Sequence, residues 1–132
     1  MEIVKTPIWT GTGEEPDLNW GGTFRFANEQ NSTGEEIYAM PMDMWARLKT
    51  ETFYVTIKGA NPQIRVVTGW WNNQWPDSND IFPGNELLTD NGDGTFTLAV
   101  TLAGHPLADA MDTEHLLFTG SGYIVTKLYF LE

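Results

Sequence analysis

Thr52-Phe53-Tyr54-Val55-Thr56-Ile57-Lys58 is the stretch that decides the fold. Phe53, Val55 and Ile57 fall on one side of an extended chain, and Thr52, Tyr54, Thr56 and Lys58 on the other. That period of two is the mark of a strand with one buried and one wet face. The same pattern recurs at Thr95–Thr101, where Phe96, Leu98, Val100 and then Leu102 oppose Thr95, Thr97, Ala99 and Thr101. It recurs at Ile64 and Val66 against Arg65 and Val67, and at Phe24 and Phe26 around Arg25. Ile3 to Thr10 reads as an opening strand, and Gly122 to Leu131, rich in β-branched and aromatic residues, as a closing one.

Turn chemistry separates these runs. Asp90-Asn91-Gly92-Asp93-Gly94 is a tight reversal, because Asn and Gly accept positive φ. Lys58-Gly59-Ala60-Asn61-Pro62 and Gly120-Ser121-Gly122 are two more. Two short stretches have helical spacing: Pro41 to Lys49, with Met44, Trp45 and Leu48, and Gly104 to Met111, with Leu107, Ala108 and Met111. Both are too short to build a core and read as plugs at the ends of a sandwich. The expected fold is therefore all-β: a two-sheet antiparallel β-sandwich, or jelly roll, with two short helices. The 132 residues fit one domain spanning 1–132.

Composition narrows the partners. The net charge of -11 repels phosphate backbones and anionic lipid heads, so neither nucleic acid nor membrane is expected as a partner. With no cysteine there is no disulfide, no thiol chemistry and no Cys-based zinc site. No apolar run is long enough to cross a bilayer. Met1 is followed by Glu2, Lys5 and Pro7 rather than by a signal-peptide pattern. It reads as a start residue placed on a module cut from a longer secreted chain.

Six Trp in so short a chain exceed what one core needs. Trp45 stands among helical apolar neighbours and Trp9 between Ile8 and Thr10 in a strand, so both are expected in the core. Thr68-Gly69-Trp70-Trp71-Asn72-Asn73-Gln74-Trp75-Pro76-Asp77 differs. Three indoles, three side-chain amides and a carboxylate meet there at a strand end. A sugar ring offers axial C–H groups to an aromatic face and equatorial hydroxyls to planar donors and acceptors. Trp supplies the first surface with few torsions to freeze, and Asn, Gln, Asp and Arg supply the second. Alternation from Ile64 and Val66 carries Thr68 and Trp70 inward and Arg65, Val67 and Trp71 outward. Trp71 is then the stacking platform, Arg65 a hydroxyl donor beside it, and Trp75 a second platform in the following loop. A bulge at Gly69 would exchange Trp70 for Trp71. Trp20, in the polar loop Asp17 to Gly22, is either a third contact or a cap on the sandwich edge. Arg25 reaches a ligand only if its sheet carries the site. Tyr54 and Tyr129, facing away from the core, are weaker candidates.

Other chemistry is poorly served. Asp90 to Gly94 lacks the ligand positions of a calcium loop, since Gly92 takes the third place and Thr101 the twelfth. A turn explains it better; a structural calcium on scattered carboxylates stays open, and no other cofactor is implied. His105 and His115 lack the spacing of a ligand pair. The strands hold almost no Asp or Glu to face each other across a cleft, and nucleophile and nucleotide motifs are absent, so no enzyme is expected.

The sequence resembles the β-sandwich carbohydrate-binding modules attached to secreted plant-cell-wall glycoside hydrolases of gut and rumen bacteria. The resemblance rests on Ile8-Trp9-Thr10-Gly11, MDMWARLKTETFYVTIKGA at 42–60, TGWWNNQW at 68–75, NGDGTFTL at 91–98 and LLFTGSGYIVTKLYF at 116–130. It implies a jelly roll without catalysis that binds a plant polysaccharide, with Trp71 and Trp75 at the ligand and Arg65, Asn73 and Gln74 as polar partners. It also implies an extracellular setting, a covalently linked catalytic domain and a monomeric state. The glycans expected are β-glucans, xyloglucan, mannan or xylan; the acidic surface argues against charged pectins. The alternative is an adhesin-type or protein-interaction domain in which exposed Trp side chains anchor a protein partner.

Overall fold

The structure is a computed structural model and describes residues 5–11, 23–34, 37–60, 62–68, 73–75 and 88–131; of residues 5, 23 and 73–75 only the backbone is described. Ten strands and two helices follow in order: β1 (Lys5–Thr10), β2 (Thr23–Asn28), β3 (Tyr38–Met40), α1 (Met42–Thr50), β4 (Thr52–Lys58), β5 (Gln63–Thr68), β6 (Asn73–Trp75), β7 (Leu88–Asp90), β8 (Thr95–Thr101), α2 (Pro106–Ala110), β9 (Leu116–Ser121) and β10 (Ile124–Leu131). They form two five-stranded sheets. The first has the order β1-β10-β4-β8-β7 and the second β3-β2-β9-β5-β6. The expected two-sheet sandwich is what the chain adopts. One pairing departs from the antiparallel expectation: β2 and β3 run parallel. β3 is a three-residue edge strand, too short to show a period of its own.

The alternation in β4 and β8 sets the first sheet. Phe53 pairs with Val100, Val55 with Leu98 and Ile57 with Phe96, and of these only Phe96 retains partial exposure. From the second sheet, Phe24, Phe26, Ile64, Val66, Leu116 and Phe118 meet them in a single core. Phe26 stands edge-on to Trp9 at 5.3 Å and to Phe118 at 5.8 Å between ring centroids. Trp9 packs against this core and Trp45 lies within it.

The two helices lie together at one end of the sandwich, beside the paired residues Thr52 and Thr101, where plugs at both ends were expected. Trp45 of α1 donates its indole N–H to the Met111 carbonyl at 2.9 Å, just past α2. His105 caps α2 by accepting the Leu107 amide on Nδ1 at 3.0 Å. Lys49 and Asp112 form an ion pair between the two helical regions.

The chain passes from the second sheet back to the first at Gly120-Ser121-Gly122-Tyr123. Gly120 has φ +123°, and a Cβ there would lie 1.8 Å from the Gln63 carbonyl oxygen on the paired strand β5. Only glycine tolerates both conditions. Tyr123 then turns into the core and donates its hydroxyl to the Thr119 carbonyl at 2.6 Å. Burial raises its pKa well above the ordinary 10.0.

Candidate functional site

Strand register decides which residues can share a surface, because directly paired residues point to the same face. In the second sheet Arg25 pairs with Leu117, Leu117 with Val67, and Val67 with Gln74. One step along, Arg65 pairs with Thr119 and Thr119 with Thr23. These two rows alternate with the core residues Phe24, Phe26, Ile64, Val66, Leu116 and Phe118, so they belong to the outer face. Arg25 and Arg65 therefore stand on one face of one sheet, on either side of β9. Two strand spacings and a two-residue offset put their Cα atoms about 12 Å apart. Both are half-buried. Arg25 thus shares its sheet with Arg65 and β6.

Asn73, Gln74 and Trp75 form β6, the edge strand paired antiparallel with β5. The sequence reading put Trp75 in a loop; its backbone is instead in the ladder, opposite Val66. Asn73 is opposite Thr68 and Gln74 opposite Val67. The three-residue ladder is too short to be seen as alternation, which is why it read as a loop. Trp70 and Trp71 fall in the connection between β5 and β6, and Trp20 before β2; all three lie outside the described residues.

A second departure concerns the outer face itself. The reading gave β5 one wet face. Val67 is fully buried although it alternates away from the core, and so are Ala27 and Thr119, with Leu117 2% exposed. β9 is buried along Leu116–Gly120 without a break. A continuous apolar run of this kind is what a strand covered on both sides shows, and Leu116-Leu117-Phe118 carried that signal in the sequence. The row between the two arginines, Val67, Leu117 and Thr119, is thus covered and is not itself a ligand-facing surface; the half-buried arginines beside it are the polar groups of this face.

The acidic reversal at Asp90 to Gly94 is a turn held by its own side chains. Asp90 Oδ1 accepts the Gly92 amide at 2.8 Å, and Asp93 Oδ1 accepts both the amide and the hydroxyl of Thr95. These bonds, the hydroxyl foremost, lower the Asp93 pKa below 3.8. Asn91 completes the turn by reaching Thr95 and Thr97. The carboxylates that resemble calcium ligands are already committed to N–H and O–H donors. Asp90 is also the one acidic residue in any of the ten strands. His105 is used as a helix cap, and His115 bonds the Asn31 carbonyl through Nε2 at 2.9 Å.

No family model matches this sequence, and no curated protein matches it. Among solved structures, the chain is similar to SGBP-B of the Bacteroides ovatus mixed-linkage glucan utilization locus, solved in complex with a mixed-linkage heptasaccharide. The TM-score is 0.53 at 16% sequence identity. The likeness covers 97% of this chain but 29% of that one, so the chain spans less than a third of its neighbour. At that identity the likeness concerns the fold.

Proposed function

We propose that this chain is a non-catalytic carbohydrate-binding module that holds a β-glucan-type plant-cell-wall polysaccharide at the β5–β6 edge of the second sheet. Trp71 stacks on the sugar ring, with Trp75 as a second platform and Trp70 replacing Trp71 if the strand phase shifts at Gly69. Arg65, Asn73, Gln74 and Arg25 meet the hydroxyls, and Trp20 extends the surface. The observation that carries this reading is the shared face. Register brings Arg25 and Arg65 onto one side of the sheet, with Gln74 at the register position opposite Val67, and Trp70 and Trp71 stand between β5 and β6 in the sequence. A neighbour of the same fold that was solved with a mixed-linkage glucan heptasaccharide supports a β-glucan ahead of mannan or xylan.

The module works by keeping a linked glycoside hydrolase close to its substrate in an extracellular setting, as part of a larger secreted protein. It acts as a monomer. Its own affinity is modest, about micromolar to millimolar, because exposed stacking must offset the ordering of side chains and ligand. The near-absence of strand carboxylates among the described residues supports a role without catalysis.

Migration in native gels containing mixed-linkage β-glucan, xyloglucan, mannan or xylan tests the reading. A β-glucan is expected to retard the protein most. Retardation by none of them, with capture of a protein partner instead, would replace this function with the protein-interaction one. Release of reducing sugar would overturn the non-catalytic role.

A further inference from the structure

The outer face of the first sheet has a charge unlike that of the rest of the chain. By register it is formed by Pro7 and Thr10 of β1, Lys127, Tyr129 and Leu131 of β10, and Thr52, Tyr54, Thr56 and Lys58 of β4. Thr95, Thr97, Ala99 and Thr101 of β8 and Thr89 of β7 belong to it as well. Lys5 takes the register position opposite Leu131. Three of the chain's seven Lys and Arg thus occupy register positions on this face, and none of the acidic residues among the described ones does. Asp93, in the turn before β8, feels the charge of Lys127, and its carboxylate is held by Thr95.

The face is ordered in stripes. Tyr54 and Tyr129 are directly paired across the strands, their rings 5.7 Å apart and 19° from parallel. Beside them runs a row of hydroxyls ending in an ammonium: Thr97, Thr56 and Lys127. Lys127 Nζ lies 5.5 Å from the Tyr129 ring, which holds the ammonium at the rim of the aromatic stripe. Lys58 is exposed at the far side of the hydroxyl row. Tyr54 is half-buried, which leaves part of one phenol ring open to a ligand.

We infer that this face is a second glycan site, independent of the β5–β6 edge, and that it takes a polysaccharide with a neutral backbone bearing sparse uronate side groups. A sugar ring on Tyr54 would set its substituents over the Thr97–Thr56–Lys127 row, where a carboxylate meets Lys127 or Lys58. Sparse charge matters. The net charge of -11 repels a dense polyanion, but at physiological salt that repulsion is screened beyond about 8 Å, leaving one carboxylate to the local lysines.

The test uses native gels at low salt containing glucuronoxylan, or the same xylan with its uronates reduced to neutral sugars. Glucuronoxylan is expected to retard the protein more than the reduced polymer, by about two- to fivefold in apparent affinity, the range of an exposed ion pair. The difference should vanish in Lys127→Gln and shrink in Lys58→Gln and at high salt, while Trp71→Ala leaves it intact. An unchanged difference in Lys127→Gln, with a wild-type melting curve, would overturn the inference. So would its loss in Trp71→Ala, which would place the uronate at the other sheet, or equal retardation by both polymers. Salt-sensitive self-association abolished by Lys127→Gln would instead make the acidic surface of a second copy the occupant. Loss of β-glucan binding alone would count against the proposed function and not against this site.

Discussion

The two sheets meet the same core but present opposite outer faces. In the first sheet, β4 and β8 alternate, and the outward side carries Thr, Tyr and Lys, with Lys58, Ala99 and Thr101 exposed, Tyr54 half-buried and Thr56 buried. In the second, Val67, Leu117 and Thr119 point outward and are nonetheless buried. The contrast shows that alternation reports what a strand's outer side meets, not only that it is a strand. Where β9 loses alternation at Leu116-Leu117-Phe118, a second dry surface exists, and the two arginines and β6 are arranged around it. Thus the longer strands of the first sheet were legible in the sequence, while its three-residue β7 and the buried outer side of the second sheet were not.

The sharpest way to break this contrast is at the corner that joins the sheets. Gly120→Ala forces a Cβ into the Gln63 carbonyl at positive φ. It should cost more than about 3 kcal/mol, combining backbone strain with a clash that the ladder must move to relieve. Gly92→Ala has φ +84° but open space around it, and should cost only about 1–2 kcal/mol. Thermal melts of the pair separate close approach from conformational strain. Equal losses would mean that the corner is not held as tightly as the register indicates.

Outer-face substitutions test the sheets directly. Val67→Ala removes two methyl groups from the buried floor and should cost about 2 kcal/mol. Thr89→Ala, exposed on β7, should change stability by less than about 0.5 kcal/mol. Comparable effects in denaturant unfolding would erase the distinction between the faces.

A smaller effect is expected from Tyr123→Phe, which leaves the Thr119 carbonyl without its hydroxyl donor and should cost about 1–2 kcal/mol at neutral pH. Its pH dependence has a definite sign. Burial raises the folded-state pKa above 10.0, so this stability is present below the unfolded value and is lost as pH climbs above it. Wild type should therefore lose stability above about pH 10 more steeply than Tyr123→Phe. Parallel alkaline melting profiles would remove Tyr123 from the corner's role.

What the sequence disclosed follows the same division. Phe53-Val55-Ile57 and Leu98-Val100 gave one clean period each, and Pro41 at the head of Met44-Trp45-Leu48 marked α1. Asp90 to Gly94 announced its reversal because Asp90 and Asp93 each accept a local backbone amide. β3, β6 and β7 have three residues each and cannot display a period, so Trp75 read as part of a loop. Val67 looked like an outward residue because alternation cannot tell water from a second layer. That Arg25 and Arg65 share a face depends on β9 lying between their strands, a tertiary pairing with no local signature. The closing Leu116 to Phe130 segment, the most distinctive stretch of the resemblance, proves to be the corner and the two strands it joins, so it speaks for the fold.

The central claim is that the β5–β6 edge holds a β-glucan. Calorimetric titration with a mixed-linkage glucan oligosaccharide, run on wild type, Trp71→Ala and Arg65→Ala, tests it most directly. The account predicts a dissociation constant of about micromolar to millimolar for wild type, no measurable binding for Trp71→Ala and weakening of about tenfold for Arg65→Ala, with unchanged melting temperatures. Wild-type affinity in both variants, or no heat of binding to the wild type at all, would contradict it.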